Sequence, residues 1–168
     1  MNKKIERTKQ VLLKALLNLI AVKNIKEITV SELCKKARIN RTTFYKYYSI
    51  PVDILQEFAD EIFLRIADIV TEKSDPDFIR STEINMLKYC KMLYENQEIM
   101  RAYMLYAFDF LSVKNSFFRT ESIKVNTMRT FLQGGATAIT MHWVLEDFAQ
   151  TPEEIASILS EYIIRLSR

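Results

Sequence analysis

Glycine and proline are scarce in this chain, two and three in 168 residues, where average usage would give about twelve and about eight. An all-β fold needs such residues for its many turns, so their scarcity argues for helices joined by short connections. No apolar run approaches the ~18 residues of a membrane span, and residues 1–10 are charged and lack the apolar stretch of a signal peptide. The two cysteines, Cys34 and Cys90, are far apart and show no metal-ligand spacing. They read as buried thiols of a reduced, cytoplasmic protein. His142 is the sole histidine and cannot by itself make a metal site or a His-based triad. There is no Gly-rich phosphate loop, and the paired acids Glu153 and Glu154 stand at a helix start, where the helix dipole accounts for them. These absences argue against an enzyme and against a cofactor or metal.

What is present favours helices. Hydrophobic residues make up 49% of the chain, enough for a substantial core. Ala, Leu, Glu, Lys and Met are abundant and form helices well. The net charge is only +3, but it is unevenly spread. Residues 1–50 hold twelve Lys or Arg against three Glu, a balance of +9, while the remainder holds twelve basic and eighteen acidic residues, a balance of −6. A basic head on an acidic body suits a polyanion-binding module attached to a second region.

The apolar spacing predicts a first helix over 3–22, with Val11, Leu12, Ala15, Leu16, Leu19 and Ile20 on one stripe. Thr29 then reads as an N-cap, with Glu32 three residues on to complete a capping box. Val30, Leu33, Cys34 and Ala37 follow at helical spacing over a short helix of about eight residues. Residues 38–40 allow only a tight turn, and Asn40 can cap a helix over 41–47. Pro51 suits the first turn of a long helix over 51–71. Further helices are expected over 76–94 and 121–148, and a last one from Pro152 to near the end, opened by the run TPEE at 151–154. Residues 97–118 are apolar and aromatic without clear boundaries.

Two short helices with a three-residue turn, preceded by a supporting helix, make a helix-turn-helix. The helix over 41–47 has a narrow apolar face, Phe44 with Tyr48 four residues on. Its other positions are Arg41, Thr42, Thr43, Tyr45, Lys46 and Tyr47, a display of donors and aromatics that core packing does not require. Arg41 can pair bidentately with guanine, and the threonines can offer hydroxyl bonds or methyl contact to thymine. Tyr45, Lys46 and Tyr47 can reach phosphates.

The segment TVSELCKKARINRTTFYKYY at 29–48, and above all NRTTFYKYY at 40–48, resembles the DNA-binding segment of TetR-family regulators. That resemblance implies an all-α fold, with an N-terminal three-helix module over 1–50 that binds double-stranded DNA and a larger helical domain over 51–168 for dimerisation and effector binding. It implies that Arg41, Thr42, Thr43, Tyr45 and Lys46 face the groove, that Tyr47 holds phosphate, and that Phe44 and Tyr48 are core. Asn40 belongs to the same surface, and Thr29 both caps its helix and approaches the DNA backbone. Two positions depart from the family pattern. Arg38 stands where a turn glycine is common, adding a candidate phosphate contact, and Pro51 stands where a lysine often contacts phosphate.

In the second region, FLQGGATAITMHW at 131–143 places two glycines inside a helix, each costing about 1 kcal/mol relative to Ala. Close helix approach is the usual compensation. By the resemblance, Gly134, Gly135, Ala138 and Ile139 pack with Ile155, Ile158, Leu159, Tyr162, Ile163 and Leu166 in a twofold interface. Close packing inside one protomer is the other reading of the glycines. Tyr89, Met92, Tyr103, Met104, Tyr106, Phe110, Met141 and Trp143 either line a pocket for a small apolar effector or form plain core. The expected function is a homodimeric, sequence-specific repressor on a palindromic operator. The alternatives are a co-activator or interaction adaptor of the same fold without a small-molecule effector, and a regulator governed by abundance alone.

Overall fold

The computed structural model describes residues 3–108 and 123–167, and every element in them is helical. In chain order these are α1 (Lys3–Ile20), a 3₁₀ turn (Ile25–Glu27), α2 (Val30–Ala37), α3 (Arg41–Phe44), α4 (Pro51–Thr71), α5 (Phe78–Glu95), α6 (Gln97–Phe108), α7 (Ile123–Leu145) and α8 (Pro152–Leu166). The chain divides into two compact units, Met1–Glu61 and Ile62–Arg168. The division falls inside α4, so that helix contributes residues to both cores.

In the first unit, α1 buries Leu12, Leu13, Ala15, Leu16 and Leu19. Asn24 accepts a hydrogen bond from the Lys26 N–H and opens the 3₁₀ turn, which turns Ile25 and Ile28 inward. Helix α2 adds Leu33, Cys34 and Ala37. Phe44, Tyr48, Ile54, Leu55, Phe58 and Ala59 complete this core. Each fully buried large side chain contributes about 1.5–3 kcal/mol relative to an exposed one. Pro51 begins α4 at the position where a missing N–H costs nothing. Asp53 supports that start, its carboxylate accepting from the N–H groups of Ser49 (2.7 Å) and Ile50 (2.9 Å).

The second unit is built around Trp143, Val144, Cys90, Met100 and Leu159, with Ile62, Met86, Met92, Leu93, Phe148, Ile155 and Ala156 buried beside them. The connection from α4 to α5 is pinned by the buried Asn85. Its Nδ2 donates to the Glu72 carbonyl at 2.7 Å, and its Oδ1 accepts from the Ser74 hydroxyl at 2.5 Å. Asp77 caps α5, so this helix starts two residues beyond the expected Pro76. Helix α7 ends at Leu145 rather than at the expected Phe148, because Asp147 and Phe148 take left-handed conformations with φ of 57° and 55°. The Phe148 N–H then bonds the Trp143 carbonyl at 2.9 Å and closes the turn. Thr151 and Glu154 form the reciprocal capping box that opens α8. Every buried side-chain polar atom among the described residues has a hydrogen-bond partner.

Candidate nucleic-acid interface

Helix α2 starts where Thr29 caps it, its hydroxyl accepting from the Glu32 N–H at 3.2 Å. Beyond its expected capping-box role, the Glu32 carboxylate also takes Lys23 Nζ at 2.6 Å. That bond is the main reason the Glu32 carboxyl lies below the usual range, with the Thr29 backbone adding a smaller push.

The turn after α2 is made by Arg38, which adopts φ 55° and ψ 41° in the left-handed region. Its N–H bonds back to the Lys35 carbonyl at 3.3 Å, and the Ile39 N–H reaches the Cys34 carbonyl at 3.0 Å. These two bonds satisfy carbonyls that the end of α2 would leave open, in the pattern usually reserved for glycine. The chain thus makes the expected tight turn with an arginine and leaves the Arg38 side chain exposed.

Asn40 caps α3, its Oδ1 accepting from the Thr42 N–H at 2.9 Å. Helix α3 has only four residues, Arg41–Phe44, shorter than the 41–47 expected; Tyr45, Lys46 and Tyr47 follow as a turn. Phe44 is fully buried and Tyr48 is 6% exposed, which confirms both as core. Arg41, Thr42, Tyr45 and Lys46 are exposed, and Thr43 and Tyr47 are half-buried. Tyr45 stands 60% exposed while packing edge-on against Phe44 at 5.4 Å between ring centres. An aromatic ring held so open by a buried neighbour offers a rigid contact at little entropic cost.

Lys35 and Lys36 end α2 and are exposed, as are Arg38, Arg41 and Lys46. Among the described residues none of these five is held in an ion pair. Five unneutralised cations within twelve residues of chain suit phosphate oxygens. Cys34, behind this surface, stays a neutral thiol: burial raises its pKa, and the Arg41 charge opposes this only in part.

Three residues absent from the sequence-based set hold this surface in place. Tyr48 donates its hydroxyl to Glu57 Oε2 at 2.6 Å, and Glu57 also takes the Lys9 ammonium. Asp53 secures the chain between α3 and α4 through the Ser49 and Ile50 amides. A trace of Asp53 was available in the sequence as an acid two residues beyond Pro51, but nothing in the spacing of Lys9, Tyr48 and Glu57 marks them as partners.

Of the residues named for an effector pocket, Trp143 and Met92 belong to the second core, and Tyr89 and Met104 are partly buried against it. Trp143 is 1% and Met92 9% exposed, and the Tyr89 hydroxyl is hydrogen-bonded to Thr140 Oγ1 at 3.1 Å. Tyr103, Met104, Tyr106 and Met141 are half-buried, and Phe110 falls outside the described residues. A surface groove of about 530 Å³ lies between α5 and α8, with Leu87, Ala156 and Ile164 among its lining and Glu83 and Glu161 at its sides.

Of the residues named for a twofold interface, Ile155 and Leu159 are buried in their own unit, and Ile139 and Ile163 are half-buried against the same core. Ile158, Tyr162 and Leu166 are 39%, 51% and 42% exposed and recur every four residues along α8. Gly134, Gly135 and Ala138 are exposed on α7. A Cβ added at either glycine would meet nothing within 4 Å, so close packing within the described residues of one protomer does not account for the pair.

No protein-family model matches the chain. The chain is similar to the uncharacterized HTH-type transcriptional regulator YxbF of Bacillus subtilis (strain 168), with 32% identity over 77 residues. The shared stretch is 45% of this chain, and the chain spans about a fifth of that relative, 20% of its length. Among solved structures the fold is similar to that of the dihydroxyacetone kinase operon activator DhaS, with a TM-score of 0.58 and 18% identity over 94% of each chain. The structural match agrees with an all-helical fold, and the sequence match is to a helix-turn-helix regulator.

Proposed function

We propose that this protein is a transcription regulator of the TetR type that binds double-stranded DNA sequence-specifically as a homodimer and represses from a palindromic operator. The observation that carries this reading is the segment 38–48. It shows Arg38, Arg41, Thr42, Tyr45 and Lys46 to solvent while Phe44 and Tyr48 anchor it in the core. A short helix presented in this way has the dimensions and the donors to read a major groove. Similarity to a helix-turn-helix transcription regulator over 77 residues supports the same reading.

The apolar stripe Ile158, Tyr162 and Leu166, with the open Gly134–Gly135 step and Ala138, supports a twofold mate as the second part of the proposal. Two identical reading heads then explain a palindromic site. The protein works in the cytoplasm as a regulator rather than an enzyme, and a small apolar effector would enter beside the half-buried Tyr103, Met104 and Met141.

A second reading, regulation through a partner protein without a small effector, is favoured by one observation. Trp143, Met92 and Tyr89 are committed to packing and to hydrogen bonds of their own.

Selection of duplexes from a randomised pool, followed by light-scattering mass of the free protein and of the complex, tests the proposal. The expected result is an inverted repeat bound by a dimer. A dimer that selects no sequence at low salt removes the repressor reading in favour of the partner-protein one.

A further inference from the structure

Helix α3 is one turn long, too short to hold its own direction. Its attachment to the core therefore decides where Arg41, Thr42 and Lys46 stand. Phe44 supplies an apolar anchor, and hydrophobic attraction by itself has no preferred direction. Tyr48 supplies a directional one. Its hydroxyl meets Glu57 Oε2 at 2.6 Å, a length typical of a hydrogen bond to a charged oxygen. Glu57 lies six residues into α4, and its other carboxylate oxygen takes the ammonium of Lys9 from α1. The same ammonium stands 5.8 Å from the centre of the Tyr48 ring. One carboxylate thus gathers α1, α4 and the end of the recognition segment at a single point.

We propose that Glu57 is the positioning residue of the recognition segment. Clamped between Lys9 and the Tyr48 hydroxyl, it sets the angle at which 41–47 leaves the core, and thereby the register of Arg41 and Thr42 on the bases. The proposal rests on the DNA-binding reading given above. It assigns sequence selectivity to a residue that touches no DNA. Phosphate contacts tolerate a small change of angle because any nearby oxygen serves, whereas bidentate base contacts do not. Loss of the clamp therefore lowers the preference for the selected site and spares non-specific binding.

The test uses the full-length protein, the duplex that the wild type selects from a randomised pool, and a scrambled duplex of the same length and composition. Tyr48→Phe and Glu57→Ala are each expected to lower the ratio of selected to scrambled affinity about tenfold, the size of one charge-assisted hydrogen bond. The double variant should be no worse than Glu57→Ala alone, because both remove one link. Glu57→Asp keeps the charge but withdraws it by one methylene, so its ratio should fall like that of Glu57→Ala. Glu57→Gln keeps an acceptor for Tyr48 and should lose less. Thermal melts of each variant separate folding from selectivity. If melting temperatures fall while the ratio stays at the wild-type value, Glu57 is structural only and the proposal is overturned. Multiplying losses in the double variant overturn it as well, since the two residues then act apart. A wild type that selects no sequence removes the DNA-binding reading itself, and this proposal with it.

Discussion

The indole N–H of Trp143 donates to the carbonyl oxygen of Gln150 at 2.9 Å. The ring also meets Phe148 edge-on at 4.8 Å and stacks with Tyr94 at 6.5 Å. It therefore braces the turn between α7 and α8, where Asp147 and Phe148 hold left-handed conformations that cost non-glycine residues energy. Trp143→Phe removes the tie and leaves a void among those rings. The expected loss is about 2–3 kcal/mol of folding stability, read as a lower urea midpoint with an unchanged slope. A loss under about 0.5 kcal/mol, the size of an ordinary surface substitution, would show that the turn holds itself.

Arg38→Gly should raise stability. At φ 55° an L-residue is disfavoured by about 1–2 kcal/mol, and glycine returns part of that gain through its freer unfolded state. A net increase of about 0.5–1 kcal/mol in a chemical melt is expected. The same variant lacks one exposed cation, so DNA affinity should fall alike on all sequences, with a salt dependence shallower by about one charge. A drop in stability instead would mean that the Arg38 side chain contributes more to the fold than its backbone costs.

Arg41 and Tyr47 should separate two kinds of contact. Arg41 is exposed at the first position of α3, whereas Tyr47 is half-buried with its ring 6.5 Å from that of Tyr48. Arg41→Ala is expected to lose about 1–3 kcal/mol on the selected site and little on other DNA. Tyr47→Phe keeps the ring packing and loses only a hydroxyl, so it should weaken every sequence equally. Matching losses on all sequences for both variants would refute this division of roles.

Acid should act through Glu57 before it reaches the apolar core. Burial alone would raise this carboxyl, but the hydrogen bonds from Lys9 and Tyr48 outweigh it and hold the group below the usual carboxylate range. A folded value below the unfolded one, about 4.3, means the stabilisation is complete above that pH and disappears as pH falls through the folded value. Glu32, Glu72, Glu153 and Glu154 are held low as well, by Lys23, Lys88, Lys91 and the Thr151 cap respectively. A comparison of wild type with Glu57→Gln isolates one group from the rest. Melting temperature in the wild type should fall more steeply below about pH 4.3, and parallel curves would show that Glu57 is not held in its charged form.

Much of the helical order can be read from the chain because capping and apolar spacing act over three or four residues. Thr29 before Val30, Pro51 at the head of α4, and Thr151 with Glu154 before α8 all stand where those local rules put them. Phe44 and Tyr48 are core for the same reason, being one turn apart on a segment whose remaining positions are polar or exposed. The overestimated length of α3 and the overrun of α7 are failures at helix ends, where local preference is weakest and the surrounding fold chooses the turn.

The sequence by itself determined an all-helical chain with a basic, helix-turn-helix head, because charge, turn scarcity and short-range periodicity are local properties of the chain. Only the tertiary structure decided that Glu57 joins Lys9 to Tyr48 across 48 and 9 residues of chain, and that Trp143 is a brace in the core. It also decided that the glycine pair of α7 stands open. Those are contacts between parts of the chain that no period relates, and they exist only once hydrophobic burial has brought the helices together.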